Sequence, residues 1–199
     1  MNRTDCQYRF KLIMIGGDCV GKSCMLQRYT RGQFPESVNV TIGMSFRNHI
    51  LEVEPGVRVA LDIYDTAGHE SFWQVICCCF PQSAGCLLVF DLGDNKSFSY
   101  IKHRYTEVCK AVRPYSVRFL LVGHKCDREE RDVSQEEVDE FASKVEALYI
   151  EASAKTGHNV AEAFELLTRH IYQGLINGEV HLHESWGKIE NKTNKCCAS

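Results

Sequence analysis

No apolar run in this 199-residue chain approaches the roughly 18 residues that a membrane-spanning helix needs. The opening stretch, MNRTDCQYRFKLIMIGGD, also lacks the layout of a secretory signal: its apolar run, LIMI, is short and leads straight into a loop. Both absences point to a protein made in, and kept in, the cytosol. An excess of positive charge is missing too. The net charge is −3, so no global basic field favours nucleic acid, and no such partner is expected. No internal repeat is present. Cysteine is abundant, at 11 copies, but the spacing of a zinc site is absent: Cys77, Cys78 and Cys79 are consecutive, and no paired CxxC elements exist. In a reducing compartment most of these thiols act as small apolar fillers. The length suits one domain, or one domain and a tail. A 44% apolar and 25% charged composition is ordinary for a soluble fold.

Five stretches read as buried strands: 10–15, 57–63, 85–90, 119–122 and 148–151. An antiparallel edge strand at 46–53 precedes Pro55-Gly56, a hairpin turn. Helical patterns lie between the strands. One starts at Lys22 and another covers 98–112. A third opens at the capping box Ser134-Gln135-Glu136-Glu137, and the last runs from an Asn159 N-cap to about 176. Alternation of this kind predicts an α/β fold with a parallel sheet covered on both faces. Ligands of such sheets bind at the carboxyl ends of the strands. After Gly178 the pattern fails. Residues 179–199 are polar and read as a flexible tail, with His181 and His183 in a solvated linker.

Directly after the first strand comes GGDCVGKS, residues 16–23. It matches G-x-x-x-x-G-K-[ST] between a strand and a helix, the context in which this motif holds phosphates. Glycine lets the backbone approach closely, and successive N–H groups face the anion. Lys22 is placed to reach the terminal phosphates, and the Ser23 hydroxyl to bind Mg²⁺. The loop alone specifies only a nucleoside triphosphate. GHKCD, at 123–127, ends another strand. There the Asp127 carboxylate can accept from guanine N1–H and the N2 amine, a donor pair that adenine lacks. Lys125 can lay its stem over the base. EASAK ends the next strand, and the Ala154 N–H can donate to guanine O6.

A P-loop, then DTAG, KxD and SAK, each at a strand end, resembles the Ras superfamily of small GTPases, and within it the Rab family. The likeness covers about residues 8–176 and the last few residues. KSCMLQRYT, TIGMSF, FLLVGHKCD and the tail's GEV and SWG resemble the branch usually numbered thirty-nine or forty-two. The resemblance implies a three-layer α/β/α small-GTPase fold over residues 1–178. Its six-stranded mixed sheet has five parallel strands and one antiparallel, with five helices. It implies GTP or GDP as ligand, Mg²⁺ as cofactor, and a monomer.

The same likeness assigns positions. Gly16, Asp18, Cys19, Val20, Gly21, Lys22, Ser23 and Cys24 fall in the phosphate-binding run. Phe34, His124, Lys125, Asp127, Ser153, Ala154 and Lys155 fall where the base is held. Ser23 and Thr41 match the metal ligands, and Asp65 matches a carboxylate that acts on the metal through water. Gly68 matches the glycine whose N–H meets the γ-phosphate; Lys22, Gly68 and His69 form the catalytic group. Phe46, Tyr64 and Cys79 match the triad offered to effectors. Implied partners are effectors, an exchange factor, a GTPase-activating protein, a prenylation escort and a GDP-dissociation inhibitor. Implied locations are the cytosol and the cytoplasmic face of Golgi, endosomal, lysosomal or autophagic membranes.

Four departures stand out. His69 lies where most of the family carries glutamine, which orients the attacking water. An imidazole lacks the amide's paired donor and acceptor, so slow intrinsic hydrolysis is expected. Asp18 replaces a common serine, and its charge either opposes the γ-phosphate or points harmlessly to solvent. His124 replaces the usual asparagine. Switch II reads ESFWQVICCCFPQSAG, where Cys79 offers less surface than the usual tyrosine and Pro81 ends any helix. Beyond it, Cys196 and Cys197 fit double geranylgeranylation. Two lipids hold stably where one is marginal. Only Lys188, Lys192 and Lys195 precede them, so electrostatics adds little.

Overall fold

A computed structural model describes residues 6–37 and 40–189. Strand β1 (Tyr8–Ile15) is buried from Phe10 onward, as expected of a strand covered on both faces. The charge in its buried part, Lys11, extends its ammonium to the Pro81 carbonyl at 3.0 Å and lies over the Tyr64 ring. Around β1 stand β2 (Met44–Glu54), β3 (Val57–Thr66), β4 (Gly85–Asp91), β5 (Arg118–His124) and β6 (Leu148–Ala152). The order across the sheet is β2-β3-β1-β4-β5-β6. Only β2 runs antiparallel on this path, joined to β3 by the Pro55-Gly56 turn. As an edge strand it buries only Val53 fully, so its sequence reads as polar.

Helices cover both faces: α1 (Lys22–Arg31), α2 (Trp73–Cys77), α3 (Asn95–Val112), α4 (Gln135–Lys144) and α5 (Val160–Ile176). The side-chain alternation of β1 divides the core. Phe10, Leu12 and Met14 join Met25 of α1 and Phe164, Leu167 and Ile171 of α5. Ile13 and Ile15 join Trp73 of α2, Phe98 and Ile101 of α3 and Val138 of α4. The expected three layers and five helices are therefore present. The Ser134–Glu137 capping box also forms, with both reciprocal bonds made. Asn159 does begin α5, but not as a side-chain cap. It is left-handed at φ 52, and its amide donates to the Glu151 carbonyl instead.

The tail needs correction. Residues 180–189 pack against the domain, so the part of 179–199 that is described is not a free linker. Gly187 and Lys188 form a seventh strand, β7 (Gly187–Lys188), antiparallel to Arg9 and Tyr8 of β1. The reason is geometric. β4 pairs with β1 only from Leu12 onward, so the first residues of β1 have an open edge on that side. Val180 is buried, Ser116 N–H donates to the His181 carbonyl at 2.9 Å, and the Arg9 guanidinium lies 4.8 Å from the Trp186 ring centre. Residues 190–199, which include Cys196 and Cys197, lie outside the described residues.

Candidate nucleotide-binding site

The carboxyl ends of β1, β3, β4, β5 and β6 converge on two adjoining pockets. One, of about 310 Å³, is lined by Asp18, Cys19, Gly21, Lys22, Ser23, Cys24, Val40, Thr41, Thr66, Gly68 and His69. The other, of about 380 Å³, shares Cys19, Gly21 and Cys24 and adds Phe34, His124, Lys125, Asp127, Arg128, Ala154 and Lys155. Of the sequence-predicted phosphate and base residues, all but Gly16, Val20 and Ser153 line one pocket or the other, brought together from five separate loops.

In the first pocket the loop after β1 curls over the start of α1. Gly21 stands at φ +100, and a Cβ there would meet the His124 ring at 2.5 Å, so the turn requires glycine. Lys22 is buried, and its ammonium donates to the Gly16 and Gly17 carbonyls at 2.8 and 2.9 Å. Burial holds this lysine down to about 8, against the pull of Asp65 and Asp18. A phosphate in the pocket would supply the anionic partner that the carbonyls only approximate. Asp18 itself is exposed. It stands on the rim of the pocket, near enough to Lys22 to act on its charge.

Ser23 Oγ and Thr41 Oγ1 are 2.7 Å apart, which draws switch I onto the head of α1. Asp65, at the end of β3, is buried and raised by burial, although Ser23 and Lys22 oppose the shift. Its Oδ1 accepts no hydrogen bond from the described residues. Two hydroxyls and a buried carboxylate with an unused oxygen are the hard donors that Mg²⁺ takes. The residues fit that ion: Ser23 and Thr41 would hold it, with Asp65 behind. Bound there, it would neutralise phosphate charge.

Switch II lies against the P-loop. A Cβ on Gly68 would come within 2.3 Å of the Gly17 backbone, so only glycine permits this approach. Ala67 N–H donates to the Gly43 carbonyl at 2.8 Å, which ties the two switches together. His69 is exposed and caps a 3-10 turn at Glu70–Phe72. The Ser71 N–H donates to its Nδ1 at 3.2 Å. A backbone N–H can only donate, so Nδ1 must be unprotonated and the ring proton sits on Nε2. The accepting nitrogen is already taken. The free nitrogen offers a donor.

In the second pocket, Lys125 is left-handed at φ 62 and donates to Asp91 Oδ2 at 2.6 Å. Burial alone would raise Asp91, but Lys125, the Gly93 N–H and Arg128 hold it below the usual carboxylate range. Sequence reasoning missed Asp91; its only signal is a charge ending the apolar run of β4. The Asp127 carboxylate accepts from the Ser153 hydroxyl at 2.6 Å, the main cause of its lowered pKa. Lys155 stands 3.9 Å from its other oxygen. Phe34 is 40% exposed at the pocket mouth. His124 is buried. Its Nδ1 lies 2.6 Å from the Val20 carbonyl, and its Nε2 accepts the Ala154 N–H at 3.0 Å. The Ala154 N–H expected on guanine O6 is therefore engaged by His124.

Phe46 and Tyr64 form an outward pair with ring centres 5.1 Å apart. Cys79 lies near Tyr64 but is not displayed with the pair. It is buried, with its sulfur under Met44, which corrects its placement on the effector face. The 3-10 turn leads into the short α2, which ends at Cys77, four residues before Pro81. Switch II is pinned from α3: the Arg104 guanidinium lies 3.9 Å from the Trp73 ring centre and pairs with Glu70 at 3.1 Å.

Comparison with known proteins agrees with this geometry. The Ras family model matches residues 11–173. Ras-related protein Rab-39A of Mus musculus is 41% identical over 189 residues, covering 92% of this chain and 87% of the relative. Ras-related protein Rab-42 of Mus musculus is 36% identical, covering 95% and 89%. GTP-binding protein ypt2 of Schizosaccharomyces pombe is 34% identical, covering 99% and 100%. The chain belongs to the Ras family, as a Rab GTPase of the branch that holds Rab-39A and Rab-42.

Proposed function

We propose that this Rab GTPase is a membrane-anchored GTP/GDP switch of vesicle trafficking that hydrolyses GTP slowly and recruits effectors while GTP is bound. The observation that carries the reading is the convergence of the P-loop, both switches and the two base-reading loops on one continuous pocket pair. Lys22 and the loop N–H groups stabilise charge on the phosphates. Ser23, Thr41 and Asp65 supply the donors for Mg²⁺. Asp127 reads guanine. Thr41 orders switch I when the γ-phosphate and metal are present, and release of that order is the signal. Slow hydrolysis follows from His69, whose acceptor nitrogen is used within its own turn. An activating protein would then supply the missing charge as an arginine finger, worth roughly 10³–10⁵ in rate.

Cys196 and Cys197 carry the proposed geranylgeranyl anchor, placing the domain on the cytoplasmic face of endomembranes. An escort, a GDP-dissociation inhibitor, an exchange factor and effectors complete the proposed cycle. Phe46 and Tyr64 are the aromatic side chains offered to those effectors. A second reading, a GTP-binding scaffold that does not cycle, is favoured by the same occupied nitrogen of His69.

Competition binding tests the reading. GTP and GDP should displace a fluorescent guanine nucleotide at equal low concentrations, and ATP should fail at roughly 10²–10⁴ times those levels. Equal competition by ATP would rule out a guanine switch.

A further inference from the structure

We infer that His124 is a positioning residue that ties the P-loop to the guanine-reading loop in one neutral tautomer, and that its protonation releases nucleotide. The inference rests on the reading of the pockets as a guanine nucleotide site. The tautomer follows from the partners. The Val20 carbonyl can only accept, so the nitrogen facing it at 2.6 Å, Nδ1, carries the proton. The Ala154 N–H can only donate, so Nε2, at 3.0 Å, carries none. One ring thereby bridges the loop that holds phosphates and the loop that flanks the base. Gly21 packs on its face so closely that no Cβ fits. A second proton would go onto Nε2 and set two donors against each other. The Ala154 bond would break, and the loop it anchors would move away from the base.

Burial lowers the pKa of His124, and Lys125 beside it acts the same way, while the Val20 bond, Asp91 at the end of β4 and Asp127 oppose them. Cys19, Cys24, Arg128 and Lys155 line the same pocket. The sign follows from the lowered value. The neutral bridge is complete above the ordinary histidine range, about 6.5, and is lost as pH falls through the lower folded value.

Asparagine offers the same donor and acceptor on a group that does not titrate. The test is the release rate of fluorescent GDP from the full chain with Mg²⁺, between about pH 8 and about pH 5.5, for wild type, His124→Asn and His124→Ala. Wild type should release about tenfold faster at the acid end. His124→Asn, which keeps His69, should show no such acceleration. His124→Ala should release fast at every pH. Parallel profiles for wild type and His124→Asn would overturn the inference, even if His124→Ala fails to fold. Failure of wild type to bind fluorescent GDP at pH 8 would overturn the nucleotide-site reading and this inference together.

Discussion

Asp127 and Asp91 are both carboxylates at the base pocket, yet they do different work. Asp127 is held by Ser153 and faces the pocket, so its remaining lone pairs are aimed where guanine donors would arrive. On the proposed reading, Asp127→Ala would remove two charge-assisted bonds to guanine. GDP affinity should fall by roughly 10²–10⁴, and preference over ADP should vanish in the same titration. Asp91 acts at one remove, by anchoring the Lys125 ammonium. Asp91→Asn should leave base preference intact but speed GDP release, as measured by stopped flow. Because its folded pKa is lowered, the ion pair is complete above the ordinary carboxylate range, about 4, and is lost only as pH falls through that lowered value. It therefore contributes no pH dependence between about 5.5 and 8.

At the scale of elements, the segment after α5 behaves as part of the sheet. Truncation after Ile189 should leave the melting temperature unchanged. Truncation after Gly178 removes β7, the buried Val180 and the Trp186 contact, at a cost of about 2 kcal/mol and about 4–8 °C in a thermal melt. Switch II is the other telling element. The chain has two tryptophans, Trp73 and Trp186. In Trp186→Phe, the fluorescence of Trp73 under Arg104 should change when GTP replaces GDP, and the change should follow phosphate release. The contrast between these elements shows what a sequence can reveal. Strands β1, β3, β4 and β5 announce themselves as largely apolar runs because both faces are buried; β6, at the sheet edge, buries only Ala152 fully, which corrects its reading as a buried strand. The P-loop, KxD and SAK are legible because close backbone approach and base reading demand particular residues. β7 is not legible, since two residues without an apolar pattern acquire their conformation from the open edge of a distant strand. The tautomers of His69 and His124 are likewise invisible in sequence, because each is set by a backbone partner brought up by folding.

For the whole molecule, phosphate sensing and surface display are joined by short links. The Ala67–Gly43 bond couples the switches, and the Ser23–Thr41 contact couples switch I to the phosphate loop. No helix among the described residues is long and apolar enough to cross a membrane; the proposed attachment is through lipids on Cys196 and Cys197. From Ile189 to Cys196 the chain can reach at most about 25 Å, which would hold the domain close to the bilayer. Cys196→Ser with Cys197→Ser should abolish sedimentation of the prenylated protein with vesicles. Either single change should leave weak, reversible binding.

In the proposed function, His69 sets the clock of the switch. The most direct test is single-turnover phosphate release from γ-labelled GTP, with wild type beside His69→Gln. Slow release by the wild type, and release roughly tenfold faster by the glutamine variant, is the predicted result. Identical rates would contradict the role given to His69, and retention of GTP without release by either protein would contradict the switch itself.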